Sequence, residues 1–473
     1  MDAVSSNAPP SPRSILVGTI LGSGAVFIEG SVTIVALPAI ARDLHLGIAG
    51  LQWVVNGYLL TLSALILLGG VLGDRLSRRR TFVVGLAAFA VASIGCAVAP
   101  NFRLLVAARV LQGAAGALVV PNSLALLETS FSGEARGAAV GHWAAWSAAS
   151  GALGPLLGGL LVDAGSWRWV FVCIAPFAAA AAFAVGVSGD ARDTATRSRG
   201  LDYVGAGVVT LGLTALTGAF IIGPDAPGRF TNAAVLAALM GGAVLLAAFI
   251  AIERRVTAPL LPPDVFRVRA FTGVNATTLV VYAALNGLIF LLMLQLQTTL
   301  HYSALEAGAS LLPANALMLA LSPLAGRAAA RVGPRLLIVA GSLIAATGMA
   351  LFTRVRPGAE YLTSVLPAVV IFGLGLACFV APLTSVALSA LGEERAGLAS
   401  GVNNAVARLG GVLAVAVIPL AAGLAGVHDL ANGDAAISTG FTRAAVICAA
   451  LCAAGAAIAA MTVGSPIRET TRN

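Results

Sequence analysis

The chain contains no lysine. All 28 basic residues are arginine, against 20 acidic residues and four histidines, and charged residues fill only 10% of 473 positions. A soluble domain carries about a quarter charged residues, so this little charge cannot cover the surface of a water-soluble protein of such length. A cytosolic enzyme, a secreted disulfide scaffold and a disordered chain are thereby excluded. Without lysine there is no GxxxxGK[ST] phosphate loop, and neither HExxH nor GxSxG occurs. ATP-driven pumping by this chain is disfavoured, and it reads as a non-enzyme. His45, His142, His301 and His428 are scattered, and the five cysteines (Cys96, Cys173, Cys378, Cys448, Cys452) all fall in apolar stretches. An odd count without metal-type spacing argues against disulfides and zinc. No cofactor or metal is expected.

What is present is apolar length. Hydrophobic residues make up 59% of the chain, and the mean hydropathy is +0.95. A bilayer-spanning helix needs about 20 mostly apolar residues. Fourteen runs qualify: 15–38, 51–73, 82–99, 104–127, 137–162, 168–188, 202–223, 231–252, 271–296, 307–329, 335–353, 362–391, 397–424 and 440–462. Each is long and continuous, without the ten-residue alternation of a membrane barrel. The expected class is an all-α integral membrane protein. Residues 1–14 are polar with one arginine, and the run that follows is too long for the core of a cleavable signal.

An even number of spans puts both termini on one side, and arginine decides which, because cytoplasmic loops retain positive charge. With the termini inside, 19 arginines fall in inner segments, including Arg75, Arg78, Arg79 and Arg80, and 7 in outer ones. Arg109 and Arg408 lie within spans. The net charge of +8 therefore reads as membrane orientation and not as a nucleic-acid surface, and the partner it implies is the bilayer.

No loop is long enough to be a domain. The largest polar segments, 188–201 and 253–270, bracket two of the helices. Gly70, Arg75 and the position of Ser77 recur 256 residues later as Gly326, Arg331 and Gly333, while Glu134, Gly137, Gly141 and Gly151 recur 260 residues later as Glu394, Gly397, Gly401 and Gly411. Similar offsets at two places suggest duplicated six-helix halves, 1–190 and 266–473, with two inserted helices in 191–265. Parallel repeats of this kind build many secondary transporters.

Few side chains carry chemistry. Glu29 sits mid-span in AVFIEGSVTIVALPAI, where a carboxylate costs several kcal/mol unless it is neutralised, paired or wetted. Such a group can carry a proton, pair with a cationic substrate, or simply bind another helix. Arg109, about one and a half turns into its helix, is equally costly if unpaired. Asp74 and Arg75 precede a basic loop and can lock one state of a moving pair of helices, or be plain solvated charges. Gly154 and Pro155 in GALGPLLGG permit close packing and a bend, which packing alone would also explain. Gln52, Asn56, Tyr58, Asn122, Trp143, Trp146, Asn286, Gln295, Asn315, Asn403 and Asn404 could line a cavity; each alone also suits helix–helix bonding.

These motifs together resemble the major facilitator superfamily, in its fourteen-helix drug:proton antiporter branch. EGSVTIVALP is similar to that branch's first-helix signature, with Glu29 at the acidic position. LQWVVNGYLL resembles its second-helix entry, GVLGDRLSRRR its loop motif through Asp74 and Arg75, RVLQGAAGA its fourth-helix motif through Arg109, Gln112 and Gly113, and GALGPLLGG its fifth-helix antiporter motif. WRWVFVCIAP, YSALEAGASLLP and ERAGLASGVNNAVARLGG look like further signatures. Ser77 stands where glycine is usual, Ile174 where asparagine is common, and Ala330 where the second-half loop motif has aspartate. The resemblance implies two six-helix bundles plus two inserted helices, and alternating access around a central cavity, with protons and a small-molecule substrate as partners. It implies proton coupling through Glu29 and Arg109, gating through Asp74, Arg75 and Arg79, and a flexible exporter helix at Gly154 and Pro155. The expected activity is proton-driven export of lipophilic, cationic compounds from a bacterial cytoplasmic membrane by a monomer. A dedicated exporter of one natural product, antibiotic, lipid or metabolite is the alternative.

Overall fold

Long apolar runs have one stable form in lipid, because only a helix satisfies every backbone N–H and C=O within a single segment. The computed structural model describes residues 12–186, 202–256, 259–392, 395–430 and 433–464. Among these all regular structure is helical. Fourteen helices are long and apolar enough to cross a membrane: α1 (Arg13–Leu44), α2 (Ile48–Leu76), α3 (Arg78–Ala97), α4 (Phe102–Ser130), α5 (Gly133–Asp163), α6 (Trp169–Gly186), α7 (Tyr203–Asp225), α8 (Ala233–Glu253), α9 (Arg269–Thr299), α10 (Ala304–Val332), α11 (Pro334–Arg354), α12 (Tyr361–Ser389), α13 (Gly397–Ala421) and α14 (Asp434–Thr462). All fourteen expected spans are found. Several helices overrun them, α1 by six residues at its end, because backbone bonding continues where apolar composition stops.

Helix ends are set by local chemistry. Asn101 accepts a bond from the Leu104 N–H at 3.0 Å and starts α4, Asn232 caps α8, and Ser303 with Glu306 forms a reciprocal box at the start of α10. Such caps satisfy N–H groups that have no partner inside the helix. A single residue, Ser77 at φ 152°, joins α2 to α3, and Gly333 at φ 90° joins α10 to α11. These two turns are the pair noticed in the sequence echo.

Helix pairing repeats between the two parts of the chain. α1 packs on α5 and α6, α2 on α4, and α3 on α4 and α6; α9 packs on α13 and α14, α10 on α12, and α11 on α12 and α14. Across the divide α2 meets α13 and α5 meets α10. α7 lies over the α2–α13 seam, and α8 packs on α7. The expected boundary at 190/191 lies outside the described residues, as do the polar stretch 188–201 and Glu394.

The divide is sealed at one end and more loosely packed at the other. At the end where α1 finishes, Gln52 Nε2 on α2 donates to Val415 O at 2.6 Å on α13, and Gln297 Nε2 on α9 donates to Val35 O at 2.9 Å on α1. Asp163 at the end of α5 accepts from the first N–H groups of α10, Ala304 (3.2 Å) and Leu305 (2.8 Å). One apolar core runs through both parts here, joining Leu37, Leu51 and Val54 to Leu288, Leu291 and Ile418. At the end where α1 begins, a Cβ added at Gly133, Gly137, Gly141, Gly326 or Gly397 would meet nothing within 4 Å. The α5 and α10 faces are thus loosely packed toward the arginine-rich end, while α2 and α13 stay close there at Leu67 and Gly401.

Candidate functional site

Close approach of α2 and α4 builds the site. A Cβ on Gly113 of α4 would collide with Tyr58 O and Thr61 Oγ1 of α2, so only glycine lets the two backbones meet there. That contact carries Arg109 into the interior, where it is 1% exposed. Its Nε donates to Val54 O at 3.0 Å, and its Nη1 donates to Gln112 Oε1 at 2.6 Å and to Glu29 Oε1 of α1. Glu29 is fully buried and also accepts from Thr33 Oγ1, one turn on, at 2.9 Å. Gln112 Nε2 passes the network to Ser93 Oγ of α3 at 2.8 Å, and Ser93 donates to Phe89 O.

Aromatic rings close the remaining sides. The guanidinium lies 4.4 Å from the Tyr58 ring centre and 5.7 Å from that of Phe171, distances at which a cation is attracted to a ring face. Phe171 comes from the WRWVFVCIAP stretch, whose Trp167 and Arg168 hold Asp43 at 3.0 and 2.6 Å and so anchor the start of α6 to the end of α1. The charge pair is thus held by five helices. Glu29 Oε2 is buried without a hydrogen-bond partner, the one unused position in the network and the place where a proton can sit without displacing a bond.

Gly154 and Gly158 bring α5 onto α1 beside this network: a Cβ at either would collide with Ser31 or Val32. Gly159 and Gly308 give the same closeness between α5 and α10, with Pro155 O against Gly308. α5 is therefore wedged between the helix that carries Glu29 and the far half at the sealed end.

The gating candidates lie within the first half. Asp74 pairs with Arg78 at 2.8 Å, one turn on, and Arg79 donates to Val185 O and Gly186 O at the end of α6. Arg75 makes an interaction of its own. In the second half the corresponding end is tied by Arg395 to Asp264 at 2.8 Å, and that guanidinium holds the Asp264 carboxyl below its ordinary range.

The cavity candidates differ in what they bond. Gln52 bridges the halves as described, and Asn315 does so through Ala152 O at 3.1 Å. Asn122 bonds Gly69 O at 2.9 Å, Trp143 bonds Ser23 Oγ at 2.9 Å, Gln295 bonds Val355 O at 2.9 Å, and Asn403 bonds Asn275 and Thr278 at 3.2 and 2.9 Å; these join helices within a half. Asn286 bonds its own helix, as does Asn404. Tyr58 donates to Val26 O, Asn56 is buried with both amide atoms unpartnered, and Trp146 is exposed.

Two features were not singled out in the sequence, and a third was noted there only as a charge within a span. A cavity of about 490 Å³ lies between α2, α13 and the inserted α7 and α8, lined by Leu67, Leu213, Phe249, Glu253, Val406 and Leu409 among others; none of the cavity candidates lines it. At its rim Asp202 accepts from Gly205 N and Glu253 from Leu261 N, while the other oxygen of each, both near Gly205, is buried without a donor. The third is Arg408, mid-way along α13. The signal for Arg408 was a charge inside an apolar run; Asp202 and Glu253, at span ends 51 positions apart, gave none.

The family model of the Major Facilitator Superfamily matches residues 19–415. The puromycin resistance protein of Streptomyces alboniger is 37% identical over 416 residues, covering 86% of this chain and 82% of that one. The tetracenomycin C resistance and export protein of Streptomyces glaucescens is 34% identical, covering 86% and 75%. Among solved structures, the inward-facing bacterial homolog of the human lysosomal transporter Spinster superposes with a TM-score of 0.65 at 15% identity, covering 96% and 98%.

Proposed function

The chain belongs to the Major Facilitator Superfamily, a transporter and not an enzyme, and from that premise we propose that it is a proton-coupled exporter of lipophilic toxic compounds working by alternating access. The observation that carries this reading is a buried carboxylate–guanidinium pair, Glu29 and Arg109, inside a membrane bundle whose halves are sealed at one end and more loosely packed at the other. The excess of arginine at the loosely packed end supports a cytoplasmic orientation of that end and of both termini. Cargo then enters from inside the cell, as an exporter requires.

The pair supplies the coupling step. A proton on Glu29 removes the charge that Arg109 faces, while Arg109 keeps its bonds to Val54 O and Gln112. The tie between α1 and α4 weakens, and α1 is free to shift against α5 along the Gly154–Gly158 contact. Pro155 lies where α5 meets α10, so that shift reaches the seal at Asp163. Asp74, Arg75 and Arg79 act at the opposite end, where the cytoplasmic gate closes as the outer seal opens. The carboxylate that would have served as counter-ion to a cationic cargo is occupied by Arg109.

A narrower reading, export of a single natural product or antibiotic, is supported by relatives each named for one compound; a resistance profile confined to one chemical scaffold would establish it. The main test is uptake into everted membrane vesicles under an imposed proton gradient. Glu29→Gln is expected to lose gradient-driven uptake while the protein stays folded, and full retention would refute the coupling role.

A further inference from the structure

Arg408 lies near the middle of α13, roughly 16 Å from one end and 20 Å from the other at 1.5 Å per residue. Its guanidinium carbon is 5.6 Å from the ring of Phe27 on α1, so the side chain reaches from the second half to the first across the cleft. It is partly exposed there, its Nε is buried without a hydrogen-bond partner, and among the described residues it forms no ion pair. The other acidic side chains of the spans lie toward helix ends; Glu29 alone is mid-span, and it is held by Arg109. Two arginines and one carboxylate therefore occupy the central layer, leaving it positive by one charge.

A guanidinium placed mid-membrane is costly unless something answers its charge, and a planar fork of N–H donors matches an oxyanion better than any other group. We infer that Arg408 anchors the cargo, and that the cargo is a lipophilic anion: an aromatic compound carrying a carboxylate, phenolate or sulfonate group, its ring system against Phe27. The inference rests on the exporter reading and replaces the expectation of a cationic cargo, since a cation entering this layer meets like charge.

The test uses two dyes on one xanthene skeleton, anionic fluorescein and cationic rhodamine 123, taken up by everted vesicles containing the full chain under a proton gradient, with vesicles lacking the protein as background. Wild type is expected to carry fluorescein in preference. Arg408→Gln lowers fluorescein uptake about tenfold at sub-saturating dye, the loss of one charge-assisted contact, and Arg408→Lys retains most of it. Arg408→Glu turns the preference to rhodamine 123, a gain that misfolding cannot produce. Preference of the wild type for rhodamine 123, or equal handling of both dyes by wild type and Arg408→Glu, overturns the inference. In those cases loss of uptake in Glu29→Gln shows the exporter reading still standing. If neither dye moves above background, both fall together.

Discussion

In the first half, α4 carries Arg109 against Glu29 of α1, and the pair is continued through Gln112 to Ser93. In the second half the helices in the matching places are α12, which has no charged residue between Tyr361 and Ser389, and α9, whose one charge is Arg269 at its start. There the helices are joined by neutral amides, Asn403 to Asn275 and Thr278 and Gln295 to Val355 O. The pairing of helices is the same; the polar chemistry is not. An amide network has one charge state, whereas a buried carboxylate has two, so of these two matching contacts only that of the first half carries a group able to change its charge. The second half contributes a fixed charge, Arg408, which faces the cleft.

The comparison breaks most visibly if Arg109 is removed. Leaving either partner of a buried pair without the other is expected to cost about 3–5 kcal/mol, so Arg109→Gln and Glu29→Gln should each lower the melting temperature of the detergent-purified protein, and Arg109→Gln should also abolish driven uptake. The double variant Glu29→Gln with Arg109→Gln should regain much of the stability and none of the uptake. Single variants that melt like wild type would mean that the pair is not the tie between α1 and α4 described above.

Next in size is Gly154→Val. The added methyls collide with Ser31 at the α1–α5 contact, and overpacking of this kind costs about 1–3 kcal/mol. Because that contact lies beside Glu29, uptake should fall more than stability does. Smaller is Asn403→Ala, which removes two hydrogen bonds in the second half for about 1 kcal/mol. Its uptake should follow the same pH profile as wild type; a displaced profile would place titratable coupling in both halves.

Much of the fold was legible because lipid leaves no choice. Each apolar run had to become a helix, and all fourteen did. The ends were less legible: α1 continues through Pro38 to Leu44 on backbone bonding that hydropathy does not report. Glu29 and Arg109 stood out as charges in apolar runs, but their meeting across 80 positions is set by the glycines that let α2 and α4 touch. The polar candidates were visible as residues and not as orientations. Gln52 and Asn315 cross the divide while Asn122, Gln295 and Asn403 stay within a half, a difference that depends on the rotation of each helix about its axis. Arg408 needed the same information, and Asp202 with Glu253 needed the inserted helices folded back on one another.

The smallest effect comes from the two one-residue turns. Ser77 holds φ 152° and Gly333 holds φ 90°, a sparsely populated region that costs a residue with a Cβ about 1–3 kcal/mol. Glycine at 333 avoids that cost; serine at 77 bears it, offset by the bond its side chain accepts from Arg80 N at 3.1 Å. Glycine at a capping position loses only a few tenths of a kcal/mol relative to serine. Ser77→Gly should therefore stabilise the protein by about 0.5 kcal/mol net, and Gly333→Ser should destabilise it by a similar or larger amount, both read as shifts in melting temperature. Opposite signs are the expected result because the two turns share a backbone shape and differ in the residue that holds it. If Ser77→Gly instead lowers the melting temperature, the hydrogen bond to Arg80 outweighs the strain, and the start of α3 depends on a capping bond that α11 does without.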